Sequence, residues 1–159
     1  MAEQLEDKYA KYEKYRPLVE SIELFDGIDF KNCIKIMAMA LQSKIMTGDV
    51  IFRKGDIGHE MYVILKGRVQ IVDEDPRGER TLAVLGPGET FGEMALFEHK
   101  ARSAKAVAME SSVVLALDEQ RIESLLTKSV AIRLLFNLVK MLARRLRDTN
   151  VLLARAKEH

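Results

Sequence analysis

The sequence predicts an α+β fold in which helices at both ends of the chain flank a turn-rich β unit, a sandwich, a jelly roll or a barrel. The length of 159 residues is that of one domain. Eight of the nine glycines fall between Gly48 and Gly92, so tight turns are confined to the middle of the chain. The hydrophobic pattern becomes alternating near residue 43 and helical again after Asp118. We therefore expect a single domain, residues 1–159, divided into N-terminal helices (1–42), the β unit (43–118) and C-terminal helices (119–159).

The N-terminal segment is predicted to contain two helices. Leu5, Tyr9 and Tyr12 recur at helical spacing and would share one face of the first helix. Pro17 is expected to end that helix, because proline cannot continue its hydrogen bonds. Asp29 is a suitable N-cap for a second helix. The apolar face of this second helix would consist of Phe30, Cys33, Ile34 and Met37.

The central segment is predicted to form seven or eight short strands. Its apolar runs are short and rich in β-branched residues, which favours strands over helices. Clusters of Gly, Asp and Pro separate the runs and are typical of turns. The predicted strands include residues 50–52, 61–65, 69–72, 81–85, 104–109 and 113–117.

The C-terminal segment is predicted to contain a short helix with Ile122, Leu125 and Leu126, followed by one long helix over residues 128–156 without glycine or proline. A stripe of about seven turns is too long for one small domain to cover. We therefore expect the long helix to form a dimer seam or a lid over a ligand; the alternative is that it folds back on its own domain and frays at its end. The predicted stripe consists of Leu135, Leu138, Leu142, Leu146, Thr149 and Leu153.

The composition argues against several classes of function. The 25 basic and 24 acidic residues give a net charge of +1, which gives no reason to expect nucleic-acid or membrane binding by charge alone. The longest apolar run, residues 36–41, is far shorter than the roughly 20 residues of a membrane span, and the charged N-terminus does not resemble a signal peptide. The lone cysteine, Cys33, forms no internal disulfide and is expected to be a small buried residue. We expect a cytoplasmic protein without a membrane span.

The candidate binding site is the segment 86–106, which has three glycines within its first seven residues. Such glycines allow a backbone to approach a ligand closely. A short helix-like stretch beginning at Glu93 would offer backbone N–H groups to an anion, and Arg102 would add a bidentate charge. Because Glu93 accepts hydrogen bonds, a ligand with both a phosphate and a sugar hydroxyl would suit both side chains. The alternative is a tight turn in which Glu93 caps a helix and Arg102 forms a surface ion pair.

Two motifs in this segment resemble the phosphate-binding cassette of cyclic nucleotide-binding domains. They are Phe91-Gly-Glu-Met-Ala-Leu and Ala101-Arg-Ser-Ala. Such domains occur in catabolite activator proteins, protein kinase A regulatory subunits and nucleotide-gated channels. Residues 48–56 and 61–67 are similar to their early strands. The resemblance implies an antiparallel, jelly-roll-like β-roll with N-terminal helices, a cassette at 91–103 and a long C-terminal helix.

The resemblance also implies roles for individual residues. Glu93 would accept a hydrogen bond from the ribose 2′-hydroxyl, and Arg102 would bind the cyclic phosphate. The main chain of Gly92 and Ala95 and the side chain of Ser103 would assist Arg102. Further ligand contacts are implied for Met94 in the cassette, Ile71 and Leu82 beside the base, and Thr149 and Asn150, which would reach adenine from the long helix.

Several points qualify these assignments. Ile71 and Leu82 are equally well explained as plain core residues. Ala101 stands where many members have proline and His99 where many have glycine, which affects the rigidity of the cassette loop rather than its ligating groups.

The function predicted from the sequence is that of a cyclic nucleotide sensor, not an enzyme. cAMP is the favoured ligand, and cGMP is possible. Its partners would be an unidentified protein effector and a second copy bound through the C-terminal helix. Because the chain ends at His159, no DNA-binding or other output domain is expected. The alternatives are a β-roll that binds no nucleotide and serves as a protein-interaction module, and a cupin-like metal enzyme, for which Gly58-His-Glu supplies too few ligands.

Overall fold

A computed structural model gives the fold of the chain and describes residues 10, 12–125 and 128–157. Leu5, Tyr9 and Leu126, which belong to predicted helices, lie outside the described residues. Tyr12 is described and is buried, and its hydroxyl donates to the Met37 carbonyl at 3.2 Å.

The N-terminal segment forms helix α1 (Arg16–Ser21), a 3-10 helix (Glu23–Phe25) and helix α2 (Phe30–Met39). The sequence predicted that Pro17 ends a helix. In the structure Pro17 lies in the first turn of α1. Proline is tolerated there because the first N–H groups of a helix have no partner within the helix.

Helix α2 begins as predicted. The Asp29 carboxylate accepts a hydrogen bond from the Asn32 N–H at 3.0 Å, which satisfies one of the free N–H groups of the first turn. The predicted face is confirmed for Cys33, Ile34 and Met37, which are buried in the core.

The described residues contain eight strands arranged as two four-stranded antiparallel sheets. One sheet has the order β1-β8-β3-β6 and the other the order β2-β7-β4-β5. The strand β1 was not among the predicted strands and begins inside the segment predicted as helical. The strands are β1 (Leu41–Ile45), β2 (Val50–Phe52), β3 (Glu60–Lys66), β4 (Val69–Asp75), β5 (Gly78–Leu85), β6 (Thr90–Phe91), β7 (Lys105–Ala108) and β8 (Ser112–Asp118).

Two apolar clusters hold these layers together. The smaller cluster lies between the sheets and includes Ile64, Phe91 and Val114. The larger cluster joins the β1-β8-β3-β6 sheet to the helices and includes Met37 and Leu115. Helix α3 (Glu93–Glu98) follows β6 directly. Both elements lie within the segment 86–106 that was predicted as a binding site.

The C-terminal segment forms α4 (Glu119–Leu125) and the 30-residue helix α5 (Lys128–Lys157), so the predicted long helix is confirmed. The predicted α+β fold is likewise confirmed. Among the described helices, none combines the length and hydropathy of a membrane span.

The apolar stripe of α5 differs from the prediction. The face that packs on the domain consists of Val130, Leu134, Leu138 and Met141, so only Leu138 of the predicted stripe is buried. The predicted residues Leu135, Leu146 and Leu153 are more than half exposed. Helix α5 has apolar residues on two faces, and the sequence alone did not distinguish the face that meets the core from the face that meets solvent.

Candidate functional site

A cavity of about 840 Å³ lies where the cassette, the β4–β5 pair and helix α5 meet. The N-terminal region closes one side of this cavity through Ser21 and Glu23. Its volume is within the range of roughly 300–1,000 Å³ that is typical of small-molecule sites.

The cassette turns sharply into α3 at Gly92, which has a left-handed φ of 77°. A side chain at this position would be strained, and its Cβ would lie only 2.8 Å from the Arg102 Nη1 atom. At the other end of α3, His99 has a φ of 50° and is the non-glycine residue with positive φ in the described chain. Many members of the family that the cassette resembles have glycine at the position of His99, and His99 has the positive φ that is typical of glycine.

Arg102 is buried, with 6% of its surface exposed. Its Nη1 donates to the Gly92 carbonyl at 2.9 Å, and its Cζ lies 4.2 Å from the centre of the Phe52 ring. In the described part of the chain, no carboxylate lies within ion-pair distance of this guanidinium. A buried cation without a counter-charge is costly, which makes the position favourable for an anion that enters from outside.

Two buried side-chain polar atoms of the described residues lack a hydrogen-bond partner, Arg102 Nε and Thr90 Oγ1. Both residues line the cavity. Buried polar groups are rarely left unpaired, so a pair of them at one cavity indicates a place for a polar ligand or water.

Glu93 is also buried, but its carboxylate has a partner. The Arg145 Nη1 atom lies 2.6 Å from Glu93 Oε1, and Arg145 Nη2 donates to the Thr90 carbonyl at 2.5 Å. Arg145 belongs to α5, so this contact joins the long helix to the cassette. Arg145 was not among the predicted site residues, although it lies one helical turn before Thr149 and therefore on the same face.

Tyr62 lies beside Arg102 and contributes no negative charge. Burial is the main reason that the pKa of Tyr62 is raised to about 12, and the neighbouring Glu60 carboxylate adds to this effect. The Tyr62 hydroxyl donates to Glu60 Oε2 at 2.9 Å. A neutral phenol therefore leaves the positive charge of Arg102 uncompensated.

The structure brings eight of the ten predicted site residues to the wall of this cavity. They are Ile71, Gly92, Glu93, Met94, Ala95, Arg102, Ser103 and Thr149.

Leu82, which was predicted to contact the base, does not line the cavity. The β4–β5 register shifts between Ile71 and Val72, so Ile71 pairs with Ala83 and Val72 with Thr81. Leu82 is the extra residue of this irregularity and is 52% exposed. Neighbouring Ala83 lines the cavity instead.

Asn150 does not line the cavity either. Successive residues of an α-helix point about 100° apart, because 3.6 residues make one turn. Thr149 reaches the cavity and its hydroxyl donates to the Arg145 carbonyl at 2.8 Å. The two adjacent polar residues therefore do not both face the cavity of their own chain.

Residues 42–129 match the model of the cyclic nucleotide-binding domain family. The chain is 42% identical over 105 residues to a cyclic AMP receptor protein of Thermus thermophilus, covering 65% of this chain and 48% of the relative. It is 31% identical over 112 residues to the mouse cyclic nucleotide-gated channel beta-3, covering 69% and 16%. The crystal structure of Thermus thermophilus catabolite activator protein superposes with a TM-score of 0.76 at 36% identity, covering 83% of this chain and 62% of that one.

Fold and site thus define a β-roll domain with an internal cavity for a small molecule. The chain belongs to the cyclic nucleotide-binding domain family. It spans about half the length of the bacterial receptor relative and a sixth of the channel relative.

Proposed function

We propose that this domain binds cAMP in the cavity of about 840 Å³ and acts as a sensor. Arg102 binds the cyclic phosphate, and Glu93 accepts a hydrogen bond from the ribose 2′-hydroxyl. The observation that carries the proposal is the buried Arg102, which has no carboxylate partner among residues 10, 12–125 and 128–157. It faces the same cavity as a buried acceptor, Glu93. A cyclic nucleotide has one anionic and one hydroxyl group to satisfy the two side chains.

The preference for cAMP over cGMP is supported by the likeness to the bacterial relative. The bacterial relative is named a cyclic AMP receptor protein. In this chain, apolar Ile71 and the hydroxyl of Thr149 line the cavity beside the cassette, and we expect both to contact the adenine base.

Arg145 gives the sensor a route from the cavity to helix α5. Its guanidinium occupies the Glu93 carboxylate, which is where the ribose hydroxyl would bind. We expect the ribose hydroxyl to compete with Arg145 for this carboxylate, so that binding weakens the contact that joins α5 to the cassette. The resulting change is a shift between two positions of α5, and its readout is a protein effector.

Helix α5 also offers a surface for a second copy of the domain. Its solvent face carries an apolar row at steps of three, four and seven residues, made of Ile132, Leu135, Val139 and Leu146, all more than half exposed. We infer that this row forms a dimer seam. Asn150, which does not line the cavity of its own chain, would then be available to the nucleotide in the partner.

Isothermal calorimetry with cAMP and cGMP tests the ligand. We expect one nucleotide per domain and tighter binding of cAMP. Tighter binding of cGMP would contradict the base preference alone, whereas no heat with either nucleotide would favour the interaction-module alternative.

Sedimentation of the full chain and of a chain truncated after Arg147 tests the seam and the lid. We expect a dimer for the full chain and weaker cAMP binding after truncation, because Thr149 is lost. A monomer with and without cAMP, together with unchanged affinity after truncation, would exclude both roles of the helix.

A further inference from the structure

The Arg102 guanidinium lies in a seat made by uncharged groups. We call Phe52, Gly58, Tyr62 and Gly92 the arginine seat. The Gly92 carbonyl accepts from Nη1 at 2.9 Å, and the Cζ atom lies 4.2 Å from the Phe52 ring centre and 5.6 Å from that of Tyr62. Each of these groups holds the cation without supplying a negative charge.

Gly58 provides the space for this seat. A Cβ atom at Gly58 would lie 2.5 Å from both Cζ and Nη2 of Arg102, and its three nearest atoms would all belong to Arg102. Gly58 does not have a positive φ, so an alanine fits the backbone conformation. The position therefore requires glycine because of the arginine and not because of a turn.

Phe52 provides the flat face of the seat. It lies in β2, paired with Ala106 of β7, and its ring packs 5.9 Å from the rings of Tyr62 and Phe91. These contacts fix the ring. A cation over an aromatic face is attracted to the ring electrons while its charge stays available to an anion.

We propose that Gly58 and Phe52 are positioning residues that hold the Arg102 guanidinium ready for the phosphate. The inference deepens the proposed function and rests on it. A long, flexible side chain that is already ordered loses less entropy when the ligand arrives. An ion pair would also order the arginine, but it would compete with the phosphate, whereas the seat does not.

The first test is cAMP titration of Gly58→Ala beside Gly86→Ala. Gly86 begins the segment predicted to bind the ligand, but it does not line the cavity in the structure. It is a matched control, because it lacks a positive φ and a Cβ there would meet only Glu89 Oε2, at 4.0 Å. We expect Gly58→Ala to weaken cAMP binding about tenfold, less than the roughly 30-fold or more expected when the charged contact itself is removed, and Gly86→Ala to leave it unchanged. Unchanged or tighter binding by Gly58→Ala would overturn the proposal.

Phosphorus NMR of bound cAMP separates positioning from a general structural effect. We expect the phosphorus resonance of saturated Gly58→Ala to move toward that of Arg102→Ala, and that of Gly86→Ala to match wild type. Phe52→Leu should shift the same resonance and weaken binding several-fold, while Phe52→Tyr, which keeps the ring, should restore both. Loss of affinity with an unmoved resonance in Gly58→Ala would contradict the seat.

Thermal unfolding without ligand tests the seat independently of the proposed function. Gly58→Ala should lower the unfolding midpoint in wild type but not in Arg102→Ala, because the atoms that the methyl group meets are then absent. Equal effects in both backgrounds would overturn the seat. A further outcome is that Gly58→Ala lowers the midpoint only when Arg102 is present, while wild type binds neither cAMP nor cGMP. In that case the proposed function fails and the arginine seat stands.

Discussion

Two buried cations, Arg102 and Lys105, lie three residues apart and have opposite surroundings. Lys105 is 8% exposed, and its Nζ contacts Glu74 Oε1 at 2.5 Å and also the Glu79 carboxylate. Arg102 is 6% exposed and faces the cavity, and no carboxylate of the described residues forms an ion pair with it. Lys105 joins β7 to the β4–β5 pair and is satisfied within the fold. Arg102 is left for a charge that the fold does not supply.

The segment 102–105 thus has one cation for ligand binding, Arg102, and one for stability, Lys105. A buried charge paired inside the protein is destabilising to remove, because its partners remain without it. A buried charge without a counter-ion costs folding free energy and contributes to the binding of an anion. Substitutions at the two positions should therefore have separable effects.

The largest effect is expected for Arg102→Ala. Loss of a buried charged contact costs about 2–5 kcal/mol of binding, so cAMP affinity should fall roughly 30-fold or more. The midpoint of thermal unfolding should not fall, because no internal ion pair is lost and the cost of an unpaired buried cation is removed. Calorimetry and thermal unfolding measure the two quantities.

Arg80→Ala is the matched control for this experiment, since Arg80 is an exposed arginine that lies 3.6 Å from Asp73 and not at the cavity. It should leave cAMP affinity unchanged. Wild-type affinity in Arg102→Ala would remove the distinction between the two buried cations.

The next effect concerns Glu93 and the sugar. A hydrogen bond to a charged group is worth about 1.5–3 kcal/mol, so wild type should bind 2′-deoxy-cAMP roughly tenfold or more weakly than cAMP. Glu93→Gln should discriminate less between the two nucleotides, because its neutral amide is a weaker acceptor. Competition binding measures both ratios, and equal affinity of wild type for the two ligands would exclude the proposed contact.

The sequence predicted the local features well and the long-range ones poorly. Six strands and the Asp29 cap depend on turn residues and short patterns, and these were placed correctly. The cassette residues are also close in sequence, so Glu93 and Arg102 were found together. Arg145 was missed because its partner Glu93 is 52 positions away.

Strand register and helix packing explain the remaining differences between the sequence predictions and the structure. The irregular β4–β5 pairing moves Leu82 off the cavity wall, and no feature of the alternating run 81–85 reveals it. Helix α5 has two apolar faces, and only packing shows that Leu134 and not Leu135 meets the core. These properties depend on neighbours that are distant in the sequence.

Compared with Arg102→Ala, Lys105→Met is expected to have a smaller effect on cAMP binding and a larger effect on stability. The substitution leaves Glu74 and Glu79 facing an apolar side chain, so the midpoint of thermal unfolding should fall while cAMP affinity stays near that of wild type. Lys54→Met is the control, because it breaks the more exposed Lys54–Asp73 pair of 2.7 Å, and exposed pairs contribute little. If Lys105→Met loses cAMP affinity as strongly as Arg102→Ala, the two cations do not have separate roles.

The smallest effect is a pH dependence of the Lys105 cluster. The hydrogen bond from Lys105 lowers the pKa of Glu74 from its usual 4.5, and the two carboxylates raise the pKa of Lys105 above its usual 10.5. A lowered carboxyl pKa stabilises the fold above pH 4.5 and loses its effect as the pH falls through the native pKa. A raised lysine pKa stabilises the fold below pH 10.5 and loses its effect as the pH rises through the native pKa.

The difference in unfolding midpoint between wild type and Lys105→Met should therefore be constant from pH 5 to pH 10, within the window set by the two usual values, and shrink on either side. Other carboxylates with a lowered pKa, such as Asp29 and Asp73, titrate in both proteins and cancel in the difference. Thermal unfolding at pH 3, 7 and 11 measures it, and the loss on the acid side should begin below pH 4.5. A difference that stays constant down to pH 3 would mean that the Lys105 contacts stabilise the fold through packing and not through charge, and the contrast with Arg102 would then be one of shape.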